Sequence, residues 1–387
     1  MLYMISKKSV AAVLLLGVAL LAVIATAGCV NSETQTHSEF AKVADHFYEV
    51  TYYDYDDSAM DAYAEVLKKN PTEVGCSAVA NENYHAHNFD YTYCDMVTLL
   101  VKVPASENRY ASIGVAGWKK DWTPAVIEQG LDEASTAFVP YCVVDGINEK
   151  GVAASTNVVL ESQIGFTTGT NPGAKNVLYM CLVREVLDHC ATAKEAVEHL
   201  QSVNIYNPDQ QKGELHCLIS DPTETYLVEL INNEVVYSKE EPVMTNFYLL
   251  ADKKLQPDEL PLPISLGLER YDVLAENYDE GKESMDGMAH LMQRAKYSQK
   301  YDRNTNPFWH SEYQGISTDG KTLLTVYSEP EEYENEIATD IANYEKNARD
   351  ASLGIWKTLH TSVYDLNNLN MRIYIEENYD KYYEFGL

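Results

Sequence analysis

The sequence predicts a layered α+β fold with antiparallel sheets, on three observations. Short strand-like runs fill residues 96–160 and return near the C-terminus, helical periodicity occupies the middle, and the two do not alternate as a βαβ barrel requires. The strand runs are 96–103, 110–118, 139–144 and 151–160, rich in Val, Thr and Tyr and punctuated by Gly, Asn and Asp. A helix is predicted over 176–189, after Asn171-Pro172-Gly173. A second starts at Thr192, which with Glu195 has the spacing of a capping box. Strands resume at 216–220, and 226–230 with 235–237 read as a hairpin turning at Asn232-Asn233. Helical stretches follow at 266–277 and 285–295, then strands at 323–328, 357–365 and 371–375. No internal repeat interrupts this order.

Ahead of the sheets the chain divides into two further units. Residues 1–28 open with Lys7 and Lys8 and continue into an uncharged apolar run, 10–27. Thr26-Ala27-Gly28-Cys29 resembles a lipoprotein signal, which would leave a lipid on Cys29 and the protein on the extracytoplasmic face of the membrane. An uncleaved membrane anchor or ordinary secretory cleavage are the other readings of this run, and all three export the chain. Residues 29–75 read as a polar tether and a helical propeptide. Phe40, Val43, Phe47, Val50, Met60, Tyr63, Ala64 and Leu67 recur at three and four until Asn70-Pro71 stops them. Residues 76–387 form the remaining unit.

Lys and Arg number 29 against 59 Asp and Glu, a formal charge of -30. Such a surface repels a phosphate backbone, so nucleic acid is not an expected partner. Seven cysteines in 387 residues are too few for a disulfide-built scaffold. Most sit among apolar neighbours, as Cys181 does, and read as buried inert thiols. Neither a CxxC nor an HExxH spacing points to a metal.

The stretch Gly75-Cys76-Ser77-Ala78, followed by His85-Ala86-His87-Asn88-Phe89-Asp90, is the first that ordinary packing does not explain. It sets a thiol beside a glycine and concentrates His, Asn and Asp 11 to 14 residues further on. A thiol is the strongest nucleophile at neutral pH among common side chains. If its own amino group were freed, that amine, titrating near pH ~7.7–8.0, could accept the thiol proton. A buried strand cysteine followed by a polar turn accounts for the same residues without chemistry.

This stretch is similar to the start of the mature chain in the choloylglycine hydrolase and linear amide C–N hydrolase family. That is a family of N-terminal nucleophile hydrolases with bile salt hydrolase, penicillin V acylase and acid ceramidase relatives. Its pattern is a cysteine, a short hairpin and then Gly-Arg-Asn-Leu-Asp, and Ala86-His87-Asn88-Phe89-Asp90 stands in that place, with His87 where the family has arginine. Asp145-Gly146-Ile147-Asn148-Glu149-Lys150-Gly151-Val152 resembles a second family element, and the strand after it ends at Ser155-Thr156-Asn157. Leu215-His216-Cys217-Leu218-Ile219-Ser220-Asp221 with Val228-Glu229, then Met244-Thr245-Asn246, then Leu268-Glu269-Arg270-Tyr271, continue the family's order.

The resemblance implies a four-layer αββα fold with two stacked antiparallel sheets. It also implies autocatalytic cleavage of the Gly75–Cys76 bond. Cys76 is then the nucleophile and its freed amine the base, with Asp90 holding that amine. Asn157 and Asn246 would stabilise an oxyanion, Arg270 would tune the thiolate, and His87 and Asn88 would bind substrate. His216 reads as a packed strand histidine. The expected substrate is a small N-acyl amide of open identity, and neither cofactor nor metal is needed. The propeptide would stay packed on the catalytic unit and keep it at the membrane, or the enzyme would be released after processing, and self-association into a homo-oligomer stays open. An acyltransferase using the same acyl-enzyme, or a non-catalytic surface-anchored protein, are the alternatives.

Overall fold

The computed structural model describes residues 36–67, 75–92, 96–116, 122–131, 136–159, 171–207, 214–231, 234–250, 264–296, 313–316, 323–327 and 356–387. Cys29, the apolar run before it and Cys94 lie outside them. No helix among the described residues is long and apolar enough to cross a membrane.

Two sheets face one another, each with helices on its outer side, in the αββα layering that the resemblance implies. The larger is nine-stranded, in the order Ala41–Ala44, Phe47–Thr51, Thr98–Val103, Ser112–Ala116, Val143–Asn148, Ala153–Val159, Glu214–Ser220, Thr225–Ile231, Glu234–Ser238. The smaller is six-stranded, in the order Val243–Met244, Gly75–Ala80, Tyr84–Thr92, Trp356–Asp365, Asn370–Ile375, Tyr383–Gly386. Helices Leu182–His189 and Ala193–Ser202 cover the larger sheet, and Ile264–Glu276 and Met285–Arg294 cover the smaller. Thr192 caps its helix as expected, accepting the Glu195 N–H at 3.1 Å, while Glu195 Oε2 accepts from Ala191 rather than from Thr192. Helix Leu182–His189 sits close because Gly146 lies beneath it: a Cβ there would meet Leu187 Cδ1 at 2.6 Å and the Ile113 carbonyl at 2.7 Å.

The pre-segment is where the sequence reading needs correction. Residues 40–51 are a strand pair, Ala41–Ala44 against Phe47–Thr51, turning at His46 with φ 56°. The helix is confined to Ser58–Leu67. Phe40, Val43, Phe47 and Val50 fit a three-and-four spacing, but Tyr48-Glu49-Val50-Thr51-Tyr52 also alternates, and its β-branched and aromatic residues favour a strand. Phe47–Thr51 pairs in parallel with Thr98–Val103, so the larger sheet is mixed rather than purely antiparallel. A parallel neighbour needs a long crossover, which helix Ser58–Leu67 and the hairpin 75–92 supply.

Two smaller departures follow the same logic. The run 139–144 begins with a 3₁₀ turn at Val139–Cys142, where Pro140 suits a first helical turn, and its strand starts at Val143. The helix predicted from 176 begins at Leu182. Asn176–Leu178 is a strand, because Asn204–Tyr206 supplies backbone partners beside it.

Register decides what faces what. Gly75–Ala80 lies against Tyr84–Thr92 with Cys76 opposite Phe89, Ala78 opposite His87 and Ala80 opposite His85. Trp356–Asp365 flanks the other side, with a bulge between Thr358 and His360 that brings His360 opposite Phe89. Directly opposed residues share a face and alternate ones point oppositely. Cys76, His85, His87, Phe89, His360 and Tyr364 therefore face the larger sheet, whereas Asn88, Asp90 and Thr361 face the covering helices.

Candidate active site

Cys76 sits on an inner strand of the smaller sheet and is fully covered, with 1% of its surface exposed. Its backbone N–H donates to Asn246 Oδ1 at 2.9 Å. Its carbonyl accepts Arg270 Nη1 at 2.8 Å. The same guanidinium pairs with Asp90 Oδ2 at 2.6 Å and donates through Nη2 to Asn246 Oδ1. Arg270 comes from helix Ile264–Glu276 and Asn246 from the segment after Val243–Met244, so three separated elements meet around one residue. Asp90 also accepts the Thr358 hydroxyl at 2.6 Å.

The electrostatics restrain the thiol. Burial pushes the Cys76 thiol well above its ordinary value, and the charge of Asp90 pushes the same way, against the Asp90 backbone N–H and Arg270. Asp90 is itself pushed up to about 7 by burial, with Arg270 and the Thr358 hydroxyl opposing. Cys76 is therefore a neutral thiol in the uncleaved chain and needs an adjacent base to become a nucleophile.

Residues 72–248 match the family of linear amide C-N hydrolases, choloylglycine hydrolase family. Over those residues the chain resembles the choloylglycine hydrolase family. Cleavage of linear amide C–N bonds is the chemistry of that class. No curated protein matches the chain. Among solved structures it is similar to a variant of conjugated bile acid hydrolase from Clostridium perfringens, at 15% identity over 81% of this chain and 92% of that one, with a TM-score of 0.46. A second variant of the same enzyme gives 16% identity over 80% and 92%, with a TM-score of 0.45. Penicillin V acylase from Agrobacterium tumefaciens gives 16% identity over 78% and 82%, with a TM-score of 0.37. None of these likenesses assigns a residue role.

Within the matched region the other expected site residues are placed differently from Cys76, Asp90, Asn246 and Arg270. Asn157 spends both amide hydrogens on the carbonyls of Met244 and Thr245, each at 3.1 Å, and turns its Oδ1 to His87 Nε2 at 3.2 Å. His87 is wholly buried between the sheets, with Nδ1 against Asp145 Oδ2 at 2.7 Å. Asn88 faces the helices, donating to the Met292 carbonyl at 2.9 Å and accepting the Thr361 hydroxyl at 2.6 Å. His87 and Asn88, the expected substrate-binding residues, are as buried as Cys76, and strand alternation turns them to opposite sides of the smaller sheet. Gly75 continues the strand directly into Cys76, opposite Asp90.

Asp145, Thr358, His360 and Tyr364 have places here that the sequence reading did not assign. Asp145 accepts from His87, from His360 Nε2 at 3.2 Å and from the Tyr364 hydroxyl. Burial works to raise its carboxyl, but the two histidine hydrogen bonds hold it well below the usual range. Asp145 was legible only as part of a turn motif, and the other three only as strand residues. Ligand-type atoms of His87, Asp145 and His360 lie within 4.8 Å of one another, yet the hydrogen bonds to Asp145 account for the arrangement without a cation. His85 bridges Ser220 and Ser155 and is brought down to about 3 by burial and by His87, so it is neutral.

The described cysteines other than Cys76, namely Cys142, Cys181, Cys190 and Cys217, are buried, as expected of inert thiols. Burial lifts Cys190 and Cys217 to about 12. Cys76 shares that burial and differs in its polar surroundings.

Proposed function

We propose that the protein is an N-terminal cysteine amidase in which cleavage of the Gly75–Cys76 bond frees the Cys76 amine to act as base for the Cys76 thiol. The observation that carries this reading is the convergence of Asn246, Arg270 and Asp90 on the backbone of Cys76. Val243–Met244 pairs only with Val79 and Ala78, so the N–H and carbonyl of Cys76 run past the end of that strand and are taken by buried polar side chains, which can hold a free amine where a strand partner could not. After cleavage the new amine lies beside the Arg270 guanidinium. A like charge lowers an amine's pKa, so the amine is an unprotonated base near neutral pH. It takes the thiol proton as Sγ bonds to the amide carbonyl and returns that proton to the departing amine. Water then releases the acyl group from the thioester. Asn246 orients the new amine through its Oδ1 while its own amide is held by the Val158 carbonyl at 2.7 Å, and Asn157 acts there through the Met244 and Thr245 carbonyls that it holds. Asp90 keeps Arg270 in place.

The substrate is a small N-acyl amide. Residues up to Gly75 become a separate fragment that keeps its strands in the larger sheet. Export with a lipid on Cys29 belongs to the same reading, and incorporation of labelled fatty acid, lost in Cys29→Ala, is its expected outcome. Intact mass measurement tests the core: the wild-type chain yields a fragment beginning at Cys76, and Cys76→Ala stays joined. A wild-type chain that remains whole and cleaves no amide sinks the proposal.

A further inference from the structure

Asn246 touches the Cys76 N–H and donates to the Val158 carbonyl at 2.7 Å, and the backbone segment that carries it is held by a run of buried histidines and carboxylates outside the site itself. The carbonyl of Thr245, one residue earlier, accepts His216 Nε2 at 2.6 Å as well as the Asn157 amide. His216 Nδ1 faces Glu229 Oε1 at 3.2 Å, and Glu229 fixes the far side of the segment by accepting the Leu249 and Leu250 N–H groups at 2.8 and 2.9 Å. On the other side His87 reaches the same segment through Asn157. Both amide hydrogens of Asn157 are committed, so its Oδ1 can only accept, and His87 Nε2 must donate. His216 Nε2 must likewise donate, because a carbonyl only accepts. Each ring thus has a proton on Nε2 while its Nδ1 faces a carboxylate. A lone pair against a carboxylate is repulsive, so a second proton must lie between them. His87, Asp145, His216 and Glu229 are all 0% exposed, and a charged pair is tolerated there only when each member is hydrogen-bonded.

We propose that His87–Asp145 and His216–Glu229 are two imidazolium–carboxylate pairs that act as positioning residues, clamping the Met244-Thr245 carbonyls so that Asn246 meets the Cys76 backbone. The inference rests on Cys76 being the nucleophile. It gives His87 a cationic role where the resembled family has arginine, directed inward rather than at a substrate. The groups facing His87 are Asp145, His360 and Asn157, and those facing His216 are Glu229 and the Thr245 carbonyl, with the Tyr248 ring edge-on at 6.4 Å.

The test has two arms. In the full-length Cys76→Ala chain, nitrogen-15 labelled on histidine, the rings of His87 and His216 should each show protons on both nitrogens at neutral pH. Rings with an unprotonated Nδ1 overturn the pairing. In the self-processing chain, His216→Leu should slow release of the Cys76 fragment by about a hundredfold through displacement of Asn246. His216→Gln keeps a donor toward Thr245 and should restore most of that rate. His87→Leu should behave as His216→Leu does. Thermal midpoints are recorded for each variant: a merely structural role predicts that Gln and Leu lose stability and rate together, and that result overturns the proposal. Wild-type rates in both Leu variants overturn it as well, as does a stoichiometric transition metal that His87→Leu removes. A wild-type chain that never processes is recognised from its own mass and removes the nucleophile reading, whereas each result above leaves that reading standing.

Discussion

Arg270 satisfies three acceptors at once, the Cys76 carbonyl, Asp90 and Asn246, which is work for a planar guanidinium and not for a lysine. Its hold depends on Asp90 being ionised, and Asp90 lies near the edge of that condition at about 7. The Thr358 hydroxyl favours the carboxylate, so Thr358→Val should raise the Asp90 pKa further. A higher pKa leaves more of the protonated acid at a given pH. The acid limb of self-cleavage should therefore move to higher pH in Thr358→Val, read as the rate of fragment release against pH. An unchanged limb would mean that Asp90 does not govern the step. At this scale Cys76 and Asp90 were legible in the sequence, and Asn246 and Arg270 through the family resemblance. Thr358 was not, since nothing local distinguishes it from any strand threonine.

Helix Leu182–His189 is seated on Gly146 of the larger sheet and tied to the layers around it by polar groups. Asn148 donates to the Leu187 and Cys190 carbonyls at 3.0 and 2.8 Å. Glu185 is buried on this helix between Lys175 and His199, each at 2.8 Å. Burial works to raise its carboxyl, but the His199 and Lys175 hydrogen bonds bring it down to about 2 from an ordinary value of 4.5. A carboxyl depressed in the folded state contributes stability that is present above its unfolded pKa and is lost as pH falls through the folded one. The window is thus pH 4.5 down to about 2, and the shift corresponds to about 3 kcal/mol. Glu185→Gln should flatten the acid limb of stability across that window while lowering stability at neutral pH, as urea unfolding at a series of pH values would read. An acid limb as steep as that of wild type would show that Glu185 does not carry it.

Across the whole molecule, the pre-segment is built into the sheet whose other strands come from beyond Cys76. Phe47–Thr51 pairs with Thr98–Val103 along its length, and Phe47, Tyr48, Val50 and Tyr52 are buried. Each fully buried side chain of this kind contributes about 2 kcal/mol. Tyr52 donates to the Thr136 carbonyl at 2.7 Å, and Tyr55 donates to both oxygens of Asp188. The Arg109 guanidinium, 3.8 Å from the Tyr55 ring centre, also donates to the Tyr55 carbonyl at 2.7 Å. After cleavage the two fragments should co-elute in native size exclusion and separate only in denaturant. Separation under native conditions would mean that these contacts do not hold the pre-segment.

The sequence by itself made the stretch from Cys76 to Asp90 stand out, because residue type and spacing are local properties, and it was the family resemblance that pointed on to Asn246 and Arg270. Fold class was legible for the same reason, since β-branched runs and capping residues announce strands and helix starts. Helices near 264–276 and 285–294 and strands such as Trp356–Asp365 fall close to where periodicity puts them. Only the tertiary structure decided which way His87, Asn88 and Asn157 point, because a strand side chain's direction follows from register, and register is set by partners up to hundreds of residues away. For the same reason the pre-segment strands were mistaken for helix. Their spacing fits both periods, and the choice between them is made by Thr98–Val103, a neighbour the local sequence does not contain.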